Sequence, residues 1–426
     1  MRSDHPHEAH PNDARSHDAS PRYAQLTRRI AGEGASAWNI HFRAKARQVR
    51  GEDVIILSVG DPDFDTPPSI VEAAVASLRN GATHYADVQG KHALRERIAT
   101  FHREHGGHAD TVADHVAVLA GAQCGLYATA QCLLDPGDEV IIPEPAYVTY
   151  EAVVQSTGAV PVWVPLPPDE GFQPRPADIA AAITPRTRAI LINSPHNPTG
   201  QCLTPAMWES IATLCREHDL WLIVDAVYAD LIFEGEHASP DSLPGMHERT
   251  VVISSLSKSH AMTGWRLGWV IGPQALMSHL VNLALCMLYG CQPFIQDAAI
   301  AAFDEPPASL ATMRETYRQR RDAVVETLRA SEVVATLPPA AGMFMMIDVR
   351  ATGLGTHAFA DRLLDEHGVS VLAGEAFGAS ATGFVRLSLT VDAERLREAC
   401  RRIERCAQEC QGESRLAARP LNGMTT

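Results

Sequence analysis

Lys258 closes the run Ser254-Ser255-Leu256-Ser257-Lys258, and Arg266 stands eight residues further on. A lysine amine can form a Schiff base with an aldehyde, while hydroxyls just before it and an arginine just after it can hold a phosphate. Pyridoxal phosphate carries both groups on one ring, so this short stretch is a candidate cofactor site. The chain has two other lysines, Lys45 and Lys91, and both lie in charged, helix-like stretches without a hydroxyl cluster. The alternative for Lys258 is a surface lysine at the end of an apolar strand.

Other residues fall where such a cofactor would need them. Asp225 ends the strand-like run Trp221-Leu222-Ile223-Val224, and Tyr228 follows three residues later. A carboxylate at the carboxyl end of a parallel strand points into the crevice where such sheets bind ligands. There it can keep a pyridine nitrogen protonated, with Tyr228 donating to the phenolic oxygen; the alternative is a helix N-cap. Asn193-Ser194-Pro195-His196-Asn197-Pro198-Thr199-Gly200 follows another strand, and Asn197 before a proline is held extended with its amide toward the crevice. Gly121-Ala122-Gln123 lies at a strand-to-helix turn, where free amides and the positive end of the helix dipole suit a phosphate. Tyr147, after Pro143-Glu144-Pro145, is either a platform for an aromatic ring or a core residue. Arg386 is centred in the apolar run Phe384-Val385-Arg386-Leu387-Ser388. Burying it is costly without an anion. That anion is a substrate carboxylate, held by two parallel hydrogen bonds, or an internal Asp or Glu.

The elements that position these residues alternate. Short aliphatic strands at 116–119, 139–142, 160–164, 189–193, 220–224 and 250–254 are separated by helical stretches at 124–134, 147–157, 177–183 and 205–218. That order predicts an α/β fold with a mainly parallel sheet buried on both faces. Residues 1–21 read as a disordered polar tail. Residues 22–60 read as an N-terminal helix (23–49) and strand (54–59) that join a smaller domain, and 61–304 as the large cofactor-binding domain. A charged helix at 308–330, strands at 343–348 and 384–389 and helices at 356–367 and 392–410 make 305–412 a smaller α+β domain, with a second tail at 413–426.

The net charge of −15 disfavours a nucleic-acid or anionic-membrane partner. Nine cysteines without a CxxC pair read as reduced, mostly buried thiols, which predicts a cytoplasmic location. The apolar stretch from Leu276 to Gly290 is interrupted by Ser278, His279 and Asn282 and is too short to span a bilayer; it predicts a buried helix.

Taken together the chain resembles the fold-type I, class I and II family of pyridoxal-phosphate-dependent aminotransferases. The matching stretches are Gly60-Asp61-Pro62-Asp63-Phe64, Tyr85 to Gly90, Asp135 to Glu139, Asn197-Pro198-Thr199-Gly200, Asp225 with Tyr228, Ser255 to Lys258, Gly264-Trp265-Arg266-Leu267-Gly268 and Arg386. The resemblance implies a large domain with a seven-stranded sheet and a ping-pong transfer of an α-amino group from an amino acid to a 2-oxo acid. It makes Lys258 the Schiff-base lysine and proton shuttle, Asp225 the partner of the ring nitrogen, and Tyr147 the stacking residue. Asn197 and Tyr228 take the phenolic oxygen, and Ala122, Gln123, Ser255, Ser257 and Arg266 the phosphate. Tyr85 would reach the phosphate of a neighbouring subunit, which implies a homodimer with shared sites. The backbone at Gly60 and the side chain of Arg386 would take the substrate carboxylate.

Longer strings, such as Thr83-His84-Tyr85-Ala86-Asp87 and Ser257 to Gly264, resemble the arginine–pyruvate transaminases of that family, implying L-arginine as donor and pyruvate as acceptor. Asp87, where many family members have proline, could pair with a guanidinium or be a solvated loop residue; Asp63, Asp65 and Glu144 are further acidic candidates. Aspartate or aromatic donors, or a C–S lyase on the same fold, are the alternatives.

Overall fold

The computed structural model describes residues 23–31 and 38–417, so the expected tail at 1–21 lies outside the described residues. A two-residue strand, β1 (Ile55–Ile56), comes first. Seven strands follow: β2 (Val116–Leu119), β3 (Glu139–Glu144), β4 (Val160–Pro165), β5 (Thr187–Asn193), β6 (Trp221–Asp225), β7 (Thr250–Ser255) and β8 (Gly268–Ile271). They form one sheet in the order β2-β8-β7-β6-β5-β3-β4. All run parallel except β8, which is antiparallel to both of its neighbours.

Alternate residues of these strands feed two separate cores. Leu222 and Val224 enter one, with Val116, Val118, Ile190 and Ile192. Ile223 enters the other, with Ala117, Leu119, Ala189 and Leu191. Helices cover both faces, which is why the strands read as continuous aliphatic runs rather than as alternating ones. A one-residue slip of β6 would exchange the two cores and turn Asp225 away from the crevice. The expected helix over 276–290 is Gln274–Met287, and its buried side is Leu276, Met277, Leu280 and Ala284. Strand β8 is not foreseen by the alternation, because no helix separates it from β7.

The remaining strands are β9 (Ala335–Leu337), β10 (Phe344–Asp348), β11 (Val369–Ser370), β12 (Leu372–Ala373) and β13 (Phe384–Ser388). Four of them make an antiparallel sheet in the order β12-β13-β10-β9, while β11 pairs in parallel with β1. Leu57 extends that link, accepting from the amide of Ser388 and donating to the carbonyl of Ser370, both at 2.8 Å. The strand expected over 54–59 is therefore two residues long, and the chain beyond it is a loop held by β13. Among the described residues the helix expected over 23–49 is two helices, Gln25–Arg29 and Asn39–Val49. The last helix is Ala393–Ala417, longer than the boundary at 412 allows. Glu413 on Arg362 (2.7 Å) and Ser414 on the Thr352 carbonyl (3.1 Å) hold its final turns.

Candidate active site

The carboxyl ends of β2, β5, β6 and β7 open on one cavity of about 450 Å3. Asp225 lines it from the end of β6 and is 4% exposed. Burial pushes its carboxyl up from 3.8 to about 6, and the hydrogen bonds it accepts from the Tyr150 hydroxyl (2.7 Å) and the Val227 amide (3.3 Å) hold it back from rising further. No cationic side chain within salt-bridge reach neutralises it among the described residues, so the site offers a buried anion awaiting a positive group.

Lys258 faces Asp225 from the loop after β7. Its amine donates to the Gly60 carbonyl at 2.7 Å. Burial lowers it from 10.5 to about 8; Asp61 and Asp225 draw it up, while Arg386 and Arg266 press it down. A neutral amine is the form that attacks a carbonyl or takes a proton, and here it is within reach at neutral pH. Lys91 by contrast is spent on Asp297 (2.5 Å) at the start of the helix His92–Glu104, and Lys45 sits on the helix Asn39–Val49.

Arg386 decides between its two sequence readings. It is 3% exposed and is paired with no carboxylate among the described residues. Its Nη1 donates to Asn197 Oδ1 (2.9 Å) and its Nη2 to the Ser58 carbonyl (3.0 Å), while Nε has no partner. The guanidinium lies over the rings of Phe344 (4.0 Å) and Phe377 (4.7 Å), and burial lowers it from 12.5 to about 10. A buried cation held by neutral groups, with a donor left over, is a receptor for an anion. Gly60 belongs to the same wall: a Cβ there would stand 2.0 Å from the Phe344 ring.

At the far end of the cavity Ala122 and Gln123 begin the helix Ala122–Leu133, so their amides have no intrahelical acceptor. Gly121 precedes them with φ +89°, and a Cβ on it would meet the Arg266 guanidinium at 2.5 Å. Arg266, itself left-handed at φ 53°, donates to the Thr263 carbonyl (2.7 Å) and is paired with no acid among the described residues. Ser255 and Ser257 line the cavity beside it, and the Ser257 amide donates to the Ser255 hydroxyl (3.3 Å). Amides, hydroxyls and a free guanidinium converge here as a phosphate requires. Tyr147 lines the wall near Tyr150, with 5.6 Å between ring centroids. Tyr228 is buried, and burial pushes its phenol far up, so it stays a donor.

Five candidate residues are not in this cavity: Tyr85, Asp87, Asp63, Asp65 and Glu144. Tyr85 is 84% exposed and leans on Tyr289, 4.8 Å between centroids. Asp87 is exposed, accepts from the Gln89 amide (3.0 Å) and stands 4.0 Å from Arg95, so in the single chain it is a loop residue. Asp63 is bound through both oxygens by Arg320, each at 2.7 Å. Glu144 takes the Ala379 amide at 2.5 Å. Sequence reading gave no role to Tyr150, Trp38, Phe377 or the Asp61 side chain, and named Asn193 and His196 only as members of the Asn197 string. Asn193 donates to the Asp225 carbonyl (2.9 Å) and accepts from the Asn197 amide (2.7 Å). His196 bridges the Pro145 carbonyl (2.9 Å) and Thr199 (2.8 Å), and burial lowers it to about 4, so it is a neutral strut that ties the Asn197 loop to the Tyr147 loop.

Residues 52–403 match the model of the family Aminotransferase class I and II. This chain is a class I and II aminotransferase. It is 61% identical over 393 residues to arginine–pyruvate transaminase AruH of Pseudomonas aeruginosa, covering 92% of this chain and 100% of that protein. It is 38% identical over 385 residues to the aspartate/prephenate aminotransferase of Thermus thermophilus, covering 89% and 98%. The solved Thermus thermophilus aspartate aminotransferase with maleate matches with a TM-score of 0.86 and 35% identity over 91% of this chain and 100% of that one. Aminotransferases of this family use pyridoxal phosphate and move an amino group from an amino acid to a 2-oxo acid. The residues on the page fit that cofactor: the uncompensated buried Asp225 suits a ring N–H, the Ala122–Arg266 end suits a phosphate, and the lowered Lys258 amine suits a carbonyl.

Proposed function

We propose that this aminotransferase takes L-arginine as amino donor and pyruvate as acceptor, in a ping-pong cycle within one cavity. The 61% identity to AruH over 92% of the chain carries the donor reading, against 34–38% to the relatives named for aspartate, prephenate or aromatic amino acids. When bound, pyridoxal phosphate supplies a carbonyl that receives the amino group and a protonated ring that draws electron density from the α-carbon. Asp225 would keep the ring nitrogen protonated, and Tyr150 and Asn193 keep Asp225 in place. Ala122, Gln123, Ser255, Ser257 and Arg266 would hold the phosphate, Tyr147 would supply the aromatic wall for the ring, and Asn197 and Tyr228 would hold the phenolic oxygen. Arg386 takes the substrate carboxylate, which fixes the α-C–H bond near Lys258, and the Lys258 amine removes that proton and returns one.

We further read the protein as a cytoplasmic homodimer in which Tyr85 reaches the neighbour's phosphate site. The exposed Tyr85–Tyr289 pair supports an aromatic contact to another chain. Among the described residues no helix is long and apolar enough to cross a membrane.

Two measurements test this reading. In a half-reaction screen the cofactor-loaded enzyme is mixed with arginine, lysine, ornithine, aspartate, alanine and an aromatic amino acid, following the cofactor's visible absorbance. Arginine is expected to react fastest, and pyruvate to reverse the change; a faster response to aspartate or an aromatic donor would discard the arginine reading. Arg386→Ala is expected to raise KM for every amino acid by about 100-fold, the worth of two charge-assisted hydrogen bonds. An unchanged KM removes Arg386 from the carboxylate role.

A further inference from the structure

We infer that Asp61, together with the indole of Trp38, recognises the cationic side chain of the amino donor; this rests on the basic-donor reading above. Among the described residues two carboxylates line the cavity, Asp225 and Asp61. Asp225 lies buried at the end of β6, where the ring nitrogen belongs. Asp61 stands where the loop from β1 leaves the cavity and is exposed. The acids that the sequence offers near it are spent or elsewhere: Asp63 on Arg320, Glu144 on the 378–380 turn, and Asp65 and Asp87 exposed and outside the cavity lining.

The loop that carries Asp61 runs along the wall that the substrate must touch. The Ser58 carbonyl accepts from Arg386, the Gly60 carbonyl accepts from Lys258, and the next residue is Asp61. A donor anchored by its carboxylate at Arg386 and by its amino group near Lys258 has Asp61 on the same loop, one residue beyond Gly60 and three beyond Ser58. Oδ1 of Asp61 accepts from the Thr263 hydroxyl at 2.7 Å, which fixes the carboxylate, and among the described residues no cation is within salt-bridge reach of it, although Lys258 feels its charge. An ionised carboxylate has about four acceptor sites, so one bound hydroxyl leaves room for a guanidinium. Trp38 lines the same cavity. A flat indole favours a planar guanidinium over a compact ammonium, since the guanidinium can both stack and hydrogen-bond at its edge.

The experiment compares arginine with citrulline, its neutral ureido isostere, in the cofactor-loaded enzyme. It also compares 5-guanidinopentanoate with 5-ureidopentanoate, which lack the amino group and serve as non-reacting competitive inhibitors. Asp61→Asn keeps the acceptor for Thr263 while removing the charge. The expected result is that the arginine-to-citrulline ratio of kcat/KM, and the ratio of the two inhibition constants, fall by about 10- to 100-fold, as for a lost charge-assisted hydrogen bond. A parallel loss on both substrates with the ratios kept overturns the assignment and makes Asp61 a group that acts on Lys258. Full retention of the ratios overturns it as well. If the unaltered enzyme itself does not distinguish arginine from citrulline, the basic-donor reading fails first and takes this one with it. Trp38→Leu is expected to lower the arginine-to-lysine ratio several-fold; an unchanged ratio removes Trp38.

Discussion

Lys258→Ala is expected to abolish transamination, lowering kcat by at least about 10^4-fold, while the protein stays folded and still binds pyridoxal phosphate without a covalent link. The loss is this large because, in the proposed role, one amine both engages the carbonyl and moves the α-proton. Among the described residues no histidine lines the cavity, and His196 in the Asn197 loop is locked between Pro145 and Thr199 and held neutral. Stability moves the other way. Burial lowers the Lys258 amine from 10.5 to about 8, so the folded chain is penalised for carrying the protonated lysine; the penalty is full below about pH 8 and vanishes above 10.5. The cofactor-free Ala variant is therefore expected to melt no lower than the unaltered protein at pH 7. Near-normal turnover, measured as oxo acid released, would sink the assignment.

Asp225→Asn is expected to lower kcat/KM by at least about 100-fold for every donor, since the amide keeps the shape but not the charge that holds the ring nitrogen protonated. A separate readout comes from the protein without cofactor. Its folded carboxyl sits at about 6 against 3.8 in a free chain. A raised carboxyl favours the folded state fully below 3.8 and loses that advantage as pH rises through 6, a cost of about 3 kcal/mol at neutral pH. The Asn variant without cofactor should then be the more stable of the two at pH 7.5, with the difference shrinking toward pH 5. Equal melting at both pH values would mean that Asp225 is not the buried anion described here.

What could be seen in the sequence was whatever carries a cost. A charged Arg386 inside an apolar strand, an Asp at a strand end and a lysine behind serines are each unfavourable unless used, so they stand out. The strands of the parallel sheet stand out because burial on both faces makes them uniformly aliphatic. Tyr150 did not, because a tyrosine inside an amphipathic helix reads as core, and nothing nearby in the chain marks that its hydroxyl meets Asp225, 75 residues away. Asp63 and Glu144 stood out as acidic candidates while Asp61 did not, since only the fold brings Arg320 to Asp63 across 257 residues and leaves Asp61 on the cavity wall. Trp38 precedes a helix, and nothing in its local sequence marks that the fold brings it to the cavity. Strand β8 escaped because the alternation of strands and helices predicts parallel neighbours and it is antiparallel.

The Lys258–Gly60 hydrogen bond joins two separately built walls. Asp225, Ala122 and the serines hang from the ends of the seven-stranded sheet, whereas Arg386, Ser58 and Asp61 hang from β13 and the loop that it clamps. On the roles proposed above, chemistry and choice of substrate would thus be written on different supports. A lineage can revise the second by changing a loop and a few side chains without disturbing the first. Relatives named for acidic and for aromatic amino acids, alike in fold and only about a third identical in sequence, are what such a division of labour would leave behind.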